Sequence, residues 1–249
     1  MFEELIKVTG LPGEIVEASL EKAIAESLCT CLGMYDCDVD IENKTAVGVF
    51  RIPEDISLEA CRFLSPTVVG QDLVTVKFDF ASFPRRVVRR CSKVFLRVLL
   101  DIRASAKYRE WQSKTRSATE GVIINTTRDC VELDLGDQVG VLHRPEWVLA
   151  EAKQRYRWRK PMSVYVLRVE KRGPFVTVFV SRQARNLPAS LLRQRVPWSK
   201  FVCVYRKPGT RSVVITNCPL GDGSLKTANK EVQIELGERI KIKHDKAAQ

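Results

Sequence analysis

Long apolar runs are missing from this chain of 249 residues. No stretch of about eighteen apolar residues could span a bilayer, and Met1 to Gly10 has neither the basic region nor the apolar core of a secretion signal. The protein is therefore expected to stay in the cytosol, away from membranes. Catalytic signatures are equally scarce. There are two histidines, His143 and His244, and no H-x-x-x-H, P-loop, G-x-S-x-G or dinucleotide fingerprint. The expectation is a protein that is not an enzyme and that needs no cofactor and no metal. The eight cysteines (Cys29, Cys31, Cys37, Cys61, Cys91, Cys130, Cys203 and Cys218) never form a C-x-x-C pair. In a reducing compartment they should be free, mostly buried thiols. Cys29, Cys31 and Cys37 fit no zinc spacing and have no histidine near. Asp36, Asp38, Asp40 and Glu42 alternate as the exposed face of a strand would, without the glycine-bearing loop of hard-cation sites.

Positive charge, by contrast, is plentiful. The formal net charge is +11, which favours a polyanionic partner. Its distribution is bipolar: residues 1–80 hold 6 Lys and Arg against 15 Asp and Glu, net −9, leaving 35 against 15, net +20, for the remainder. An acidic head on a basic body suggests a protein surface as partner for the first part and nucleic acid for the rest. The head could also serve solubility alone.

Periodicity organises the chain into pieces. From Pro12 to Cys31 the residues Ile15, Val16, Leu20, Ala23, Ile24 and Leu28 recur at helical spacing. Short alternating stretches at Cys37 to Ile41, Ala46 to Ile52 and Asp72 to Phe78 predict strands, with a short helix over Ile56 to Phe63. A long helix is expected from an N-cap at Ser82 to Trp111, its apolar stripe running from Val87 and Val88 through Val94 to Ile102. Its other face carries Arg86, Arg89, Arg90, Lys93 and Arg97 at intervals of three or four, a row too dense in one charge to neutralise itself, which is either a solvated face or one turned to RNA or to an acidic protein surface such as that of a polymerase. Beyond Ser117, strands are expected at Glu120 to Asn125, Cys130 to Leu135, Val139 to His143, Met162 to Lys171 and Phe175 to Ser181, with a helical insertion over Pro145 to Tyr156. Five strands so spaced fit an OB barrel. A linker at Asn186 to Pro197 then leads to strands at Phe201 to Tyr205, Ser212 to Thr216, Glu231 to Leu236 and Arg239 to His244. The fold class expected is α+β and multidomain: an α+β head with its long helix over 1–117, a five-stranded barrel over 118–184 and a small β module over 185–249.

Three stretches carry a resemblance. In the head, Leu20-Glu21-Lys22-Ala23-Ile24 precedes a strand pair and then Ile56-Ser57-Leu58-Glu59-Ala60, Pro66 and Val69-Gly70. In the barrel, Glu120-Gly121-Val122-Ile123, Leu133-Asp134-Leu135-Gly136, Val139-Gly140-Val141-Leu142 and Val178-Phe179-Val180-Ser181-Arg182 follow one another. Last come Arg195-Val196-Pro197 and Tyr205-Arg206-Lys207-Pro208-Gly209-Thr210-Arg211. Their order resembles the bacterial NusA family of transcription elongation and termination factors across nearly the whole chain. The resemblance implies a polymerase-binding N-terminal domain, an S1 RNA-binding domain and the start of a first KH domain. It also implies RNA polymerase, nascent RNA and other termination or antitermination factors as partners, with effects on pausing, termination and antitermination. The departures are equally definite. In this last segment the nearest approach to a G-x-x-G loop, Gly221-Asp222-Gly223-Ser224, lacks apolar helical flanks, so the KH grip on RNA is expected to be lost and the module reduced to strands. No second KH domain is expected in these residues, and Asp129 and Glu132 stand where many S1 domains carry base-stacking aromatics.

For RNA binding the sharpest candidate is Arg155-Tyr156-Arg157-Trp158-Arg159-Lys160. Aromatics interleaved with cations could clamp a strand, or Tyr156 and Trp158 could plug the barrel end while the arginines reach water. His143 and Arg144 end the third barrel strand, where S1 domains meet RNA. Lys171 and Arg172, Arg182, and Arg206, Lys207 and Arg211 would extend a path along the phosphate backbone. The alternative function is a free-standing S1-type protein acting on mRNA or ribosomes.

Overall fold

The protein, seen here as a computed structural model, is described at residues 10–51, 67–68, 73–151, 156–157, 159–217 and 219–244. The chain divides into two compact units, Met1–Ser105 and Ala106–Gln249. Both are mixed α and β. Among the described residues no helix is long and apolar enough to cross a membrane.

In the first unit, helix α1 (Gly13–Leu32) buries Val16, Ala23, Ile24 and Leu28, the residues that recur at helical spacing. It stops at Gly33, whose left-handed backbone (φ 72°) lets its N–H donate to the Cys29 carbonyl, a conformation glycine adopts without steric cost. Four strands follow: β1 (Asp36–Asp40), β2 (Thr45–Arg51), β3 (Thr67–Val68) and β4 (Leu73–Asp79). They form an antiparallel sheet in the order β1-β2-β4-β3. The core joins Ile24 and Leu28 of α1 to Met34, Ala46 and Val87, with Phe50, Phe78, Phe80 and Phe83 packed around them. The short helix expected over 56–63, with Pro66 and Val69-Gly70, lies outside the described residues.

The long helix α2 (Arg85–Ser113) is present, but Ser82 is not its N-cap. Ser82 closes a 3-10 turn, Phe80–Ser82, capped by the Asp79 carboxylate, and its hydroxyl donates to the Asp79 carbonyl. The carbonyl that opens α2 is Pro84's, which accepts from Val87 and Val88. Pro84 fixes the chain at the helix start because its missing N–H needs no partner there. Val87, Val94 and Leu99 of the expected stripe are buried, whereas Val88 is 51% exposed and sits off the packed face.

The second unit begins with the last turns of α2, where Trp111 enters the barrel core. Five strands, β5 (Ala118–Thr126), β6 (Cys130–Asp134), β7 (Val139–His143), β8 (Pro161–Arg172) and β9 (Phe175–Ser181), close into a barrel in the order β5-β6-β7-β9-β8. All neighbours are antiparallel except β7 and β9, which are parallel. This arrangement is consistent with an OB-fold. Ile123, Val131, Leu133, Leu142, Met162, Val164, Val166, Val178 and Val180 fill the interior, as strict alternation along each strand demands. The insertion between β7 and β8 shows a 3-10 turn at Arg144–Glu146 and helical residues 149–151.

The C-terminal part of this unit departs from expectation twice. Asn186 to Pro197 is not a linker: α3 (Leu187–Arg195) forms there and buries Leu187, Ala189, Leu191 and Leu192. Pro188, which reads as a loop signal, sits in the first turn, where proline is tolerated. Nor is Glu231 to Leu236 a strand, since it is the end of α4 (Gly223–Leu236). Val232, Ile234 and Leu236 alternate as a strand would, but Leu225, Ala228, Val232 and Leu236 share one helical face and are the residues buried, while Ile234 is 67% exposed. The helical period won because it buries more of the apolar residues against one surface. Strands β10 (Phe201–Lys207), β11 (Arg211–Thr216) and β12 (Arg239–His244) form a sheet in that order, antiparallel then parallel. The helix α4 is the crossover that parallel pairing of β11 and β12 requires. Both helices share one core with the sheet, and Ala118 and Tyr165 of the barrel join it. For that reason β8 carries five consecutive buried residues, Met162 to Val166: one side faces the barrel interior and the other this second core.

Candidate nucleic-acid interface

The outside of the barrel bears a cleft of about 890 Å³, lined among others by Asp129, His143, Arg144, Trp147, Leu167, Arg168 and Phe179. Phe179 is part of its lining. Because Val178 and Val180 point into the barrel, alternation turns Phe179 outward. The His143 ring stacks on it at 5.5 Å with 17° between planes, and the Arg168 guanidinium stands 4.5 Å from its centre. Arg168 reaches this place through an irregularity in the pairing of β8 with β9: Val166 pairs with Val180, but Arg168, not Leu167, pairs with Phe179. Such a bulge re-aims the side chains that follow it. Glu170 holds the guanidinium from beside it at 3.0 Å.

One rim of the cleft is the loop after β7. Arg144 is exposed, and its backbone N–H donates to the Asp129 carbonyl at 2.8 Å. The Trp147 indole N–H donates to the Leu142 carbonyl at 3.0 Å. Gln183 donates its amide to the carbonyls of Pro145 and Trp147, and Ser181 donates to Glu146 at 2.5 Å. These bonds fix the loop on the barrel. A phenyl ring, an imidazole stacked on it and two guanidiniums suit a flat base with a phosphate beside it, while Asp129 restricts where that phosphate can lie.

The expected site residues separate sharply. His143, Arg144, Arg157, Arg159, Lys160, Arg172, Lys207 and Arg211 are exposed and Lys171 half-buried. Residues Arg157, Arg159 and Lys160 make a turn fastened to β5: Arg159 donates its N–H to the Ile123 carbonyl, and Ile123 donates to that of Lys160. Tyr156 does not clamp anything. It is buried in the barrel core, edge-on to Trp147 at 5.3 Å, and its hydroxyl accepts from the Val148 N–H at 2.8 Å. Arg155 and Trp158 lie outside the described residues. On α2, Arg86, Arg89, Arg90 and Lys93 are exposed, and Arg97 pairs with Glu26 of α1 at 2.9 Å.

Arg182 and Arg206 are corrected outright, for neither can reach a phosphate. Arg182 is fully buried, with its guanidinium on the Glu151 carboxylate at 2.9 and 3.1 Å and on the carbonyls of Ser163 and Glu235 at 2.6 and 2.7 Å. Arg206 is held by the Glu238 carboxylate at 2.6 Å, and that carboxylate also accepts from the Ser212 hydroxyl and the Gly209 N–H. Burial alone would push the Glu238 carboxyl up, but the Arg206 guanidinium, with Ser212 and Gly209, holds it below the ordinary carboxylate range. Both arginines are internal ties. Gly221-Asp222-Gly223-Ser224 is a helix start, in which the Asp222 carboxylate accepts from the Ser224 N–H at 2.9 Å.

Sequence reasoning missed Phe179, Arg168 and Trp147. An aromatic at an outward position of a barrel strand was the available signal for Phe179. Arg168 had none, because the bulge that turns it outward leaves no trace in the alternation. Among the described residues no group of three or more His, Cys, Asp or Glu side chains could hold a metal ion. No protein-family model matches the sequence.

Proposed function

We propose that the chain is a NusA-like RNA-binding transcription factor. On this reading the acidic head docks on RNA polymerase and the barrel binds nascent RNA, so that pausing, termination or antitermination is altered without catalysis by the factor itself. The observation that carries it is the cluster of Phe179 with His143, Arg168 and Arg144 on the outside of a closed five-stranded barrel. A stacking platform beside cations gives a sequence-tolerant grip, worth roughly 1–3 kcal/mol per stacked base. Such a grip is weak by itself. Tethering through the head would raise the local RNA concentration to the millimolar range, where weak contacts suffice. The bipolar charge and the order of sequence pieces resembling NusA support the same division of labour.

The test is a crosslink map of the full chain on a stalled bacterial elongation complex. Residues 1–117 should crosslink to polymerase and residues 118–184 to the transcript, and Phe179→Ala should remove most RNA crosslinks while leaving those to polymerase. RNA binding without any association with polymerase would replace this reading with that of a free-standing protein acting on mRNA or ribosomes. Absence of both would sink it.

A further inference from the structure

A second surface of the same unit is left over by the barrel cleft. One side of the sheet β10-β11-β12 packs on α3 and α4 through Phe201, Cys203 and Val214. The other side is open, with Val202, Val204 and Tyr205 exposed along β10. Continued alternation after Cys203 would send Tyr205 into the core and Arg206 out. The pairing instead slips between Cys203 and Tyr205, so that Cys203 faces Val214 and Tyr205 faces Val213. This bulge aims the phenol ring outward and frees Arg206 to turn in toward Glu238.

Around Tyr205 the charges are all of one sign. Arg211 pairs across the ladder with Arg239, Val213 with Lys241 and Ile215 with Lys243. All four cations are exposed, the outward positions of the three strands hold no Asp or Glu, and the Arg211 guanidinium lies 5.4 Å from the Tyr205 ring centre. Like charges directly opposite each other on neighbouring strands destabilise a sheet, so the Arg211 and Arg239 pair costs stability until an anion lies over it. Arg239, Lys241 and Lys243 succeed one another at two-residue steps of roughly 7 Å along β12. Together with Tyr205, Arg211 and Val213 they line a shallow groove of about 630 Å³.

We propose that this open sheet face is a second binding surface for single-stranded RNA. The backbone lies along Arg211, Arg239, Lys241 and Lys243, and a base stacks on Tyr205. An acidic protein would match the charge but has no use for an exposed ring flanked by a guanidinium, whereas every base has a face to stack on it. The inference rests on the reading of the chain as an RNA-binding protein, and it adds a surface that the barrel does not supply. It also gives the module a way to hold RNA where Gly221 to Ser224 is occupied in capping a helix.

The experiment measures binding of the full chain to a fluorescent uridine 20-mer RNA by anisotropy across a salt series. Changing Arg211, Arg239, Lys241 and Lys243 together to Gln should lower the slope of log affinity against log salt by roughly 2 to 3, at about 0.7 for each phosphate contact on a single strand. Tyr205→Leu should weaken binding roughly tenfold and Tyr205→Phe should not, as loss of one stacked base requires. Unchanged thermal melting shows that the variants are folded. The inference is overturned if the four-cation variant keeps the wild-type slope and affinity while Phe179→Ala loses binding, a result that leaves the barrel reading intact. It is overturned in favour of an acidic protein partner if poly-glutamate competes as well as RNA does and Tyr205→Leu is silent. Should the wild-type chain fail to bind this RNA at 50 mM salt, the barrel reading and the sheet surface fall together.

Discussion

Arg182→Met asks whether a guanidinium that reads as an RNA contact in the sequence is instead a brace within the second unit. The wild-type side chain is wholly buried and meets the Glu151 carboxylate, which is 7% exposed, and the half-buried Glu235 carboxylate at 3.5 Å, along with two carbonyls from β8 and α4. Methionine fills comparable space but leaves the Glu151 charge and the Ser163 and Glu235 carbonyls without their donor. Removing one partner of a buried pair costs about 3–5 kcal/mol, because the surviving charge stays desolvated. With a urea dependence near 2 kcal/mol per molar, the unfolding midpoint should fall by roughly 1.5–2.5 M. Fluorescence of Trp111, buried in the barrel core, follows the transition. Pairing the change with Glu151→Leu should restore part of the loss, since it removes the more deeply buried of the two carboxylates that Arg182→Met leaves unpaired and leaves only the half-buried Glu235 charge. The reasoning is refuted if Arg182→Met unfolds within about 0.5 kcal/mol of wild type, or if it stays folded and loses RNA affinity alone.

Three other outcomes follow from the same structure. A Cβ at Gly121 would stand 2.6 Å from a Leu135 methyl and 3.1 Å from the Asp134 carbonyl oxygen, so Gly121→Ala should cost about 1–3 kcal/mol by overpacking, and a melting temperature equal to wild type would contradict this. Because Glu238 has a lowered carboxyl pKa in the folded state, its stabilisation is present above the unfolded value of about 4.3 and is lost as pH falls through the folded one. Urea midpoints should therefore drop between pH 6 and pH 3 more steeply for wild type than for Glu238→Gln, and parallel curves would exclude the mechanism. In the head, burial pushes the Cys37 thiol up to about 11, with Cys29, Asp36 and Asp38 adding to the rise. On the order of one molecule in a thousand then carries the thiolate at pH 8, so iodoacetamide should label Cys37 far more slowly than a free thiol, and labelling at the free-thiol rate would count against that environment.

Where one period ruled, the sequence was sufficient. The helix Gly13–Leu32 and the five barrel strands were legible within a few residues, because alternation or helical spacing placed each apolar residue on a single buried side. At Glu231 to Leu236 two periods competed, and only the surface offered by β10 to β12 and α3 decided for the helix. The same limit governs the candidate sites. His143, Arg144, Lys207 and Arg211 were found as cations or a ring near strand ends and are exposed, but their type could not separate them from Arg182 and Arg206, whose partners Glu151 and Glu238 lie 31 and 32 residues away. Nor could it show Arg168 and Tyr205 facing out, since each is turned by one extra residue in a ladder. Composition and periodicity determined that this is a basic α+β chain built around a five-stranded barrel. Which arginines meet solvent and which hold the interior was decided by tertiary pairing, because a charge is neutralised by what lies across space and not by its neighbours along the chain.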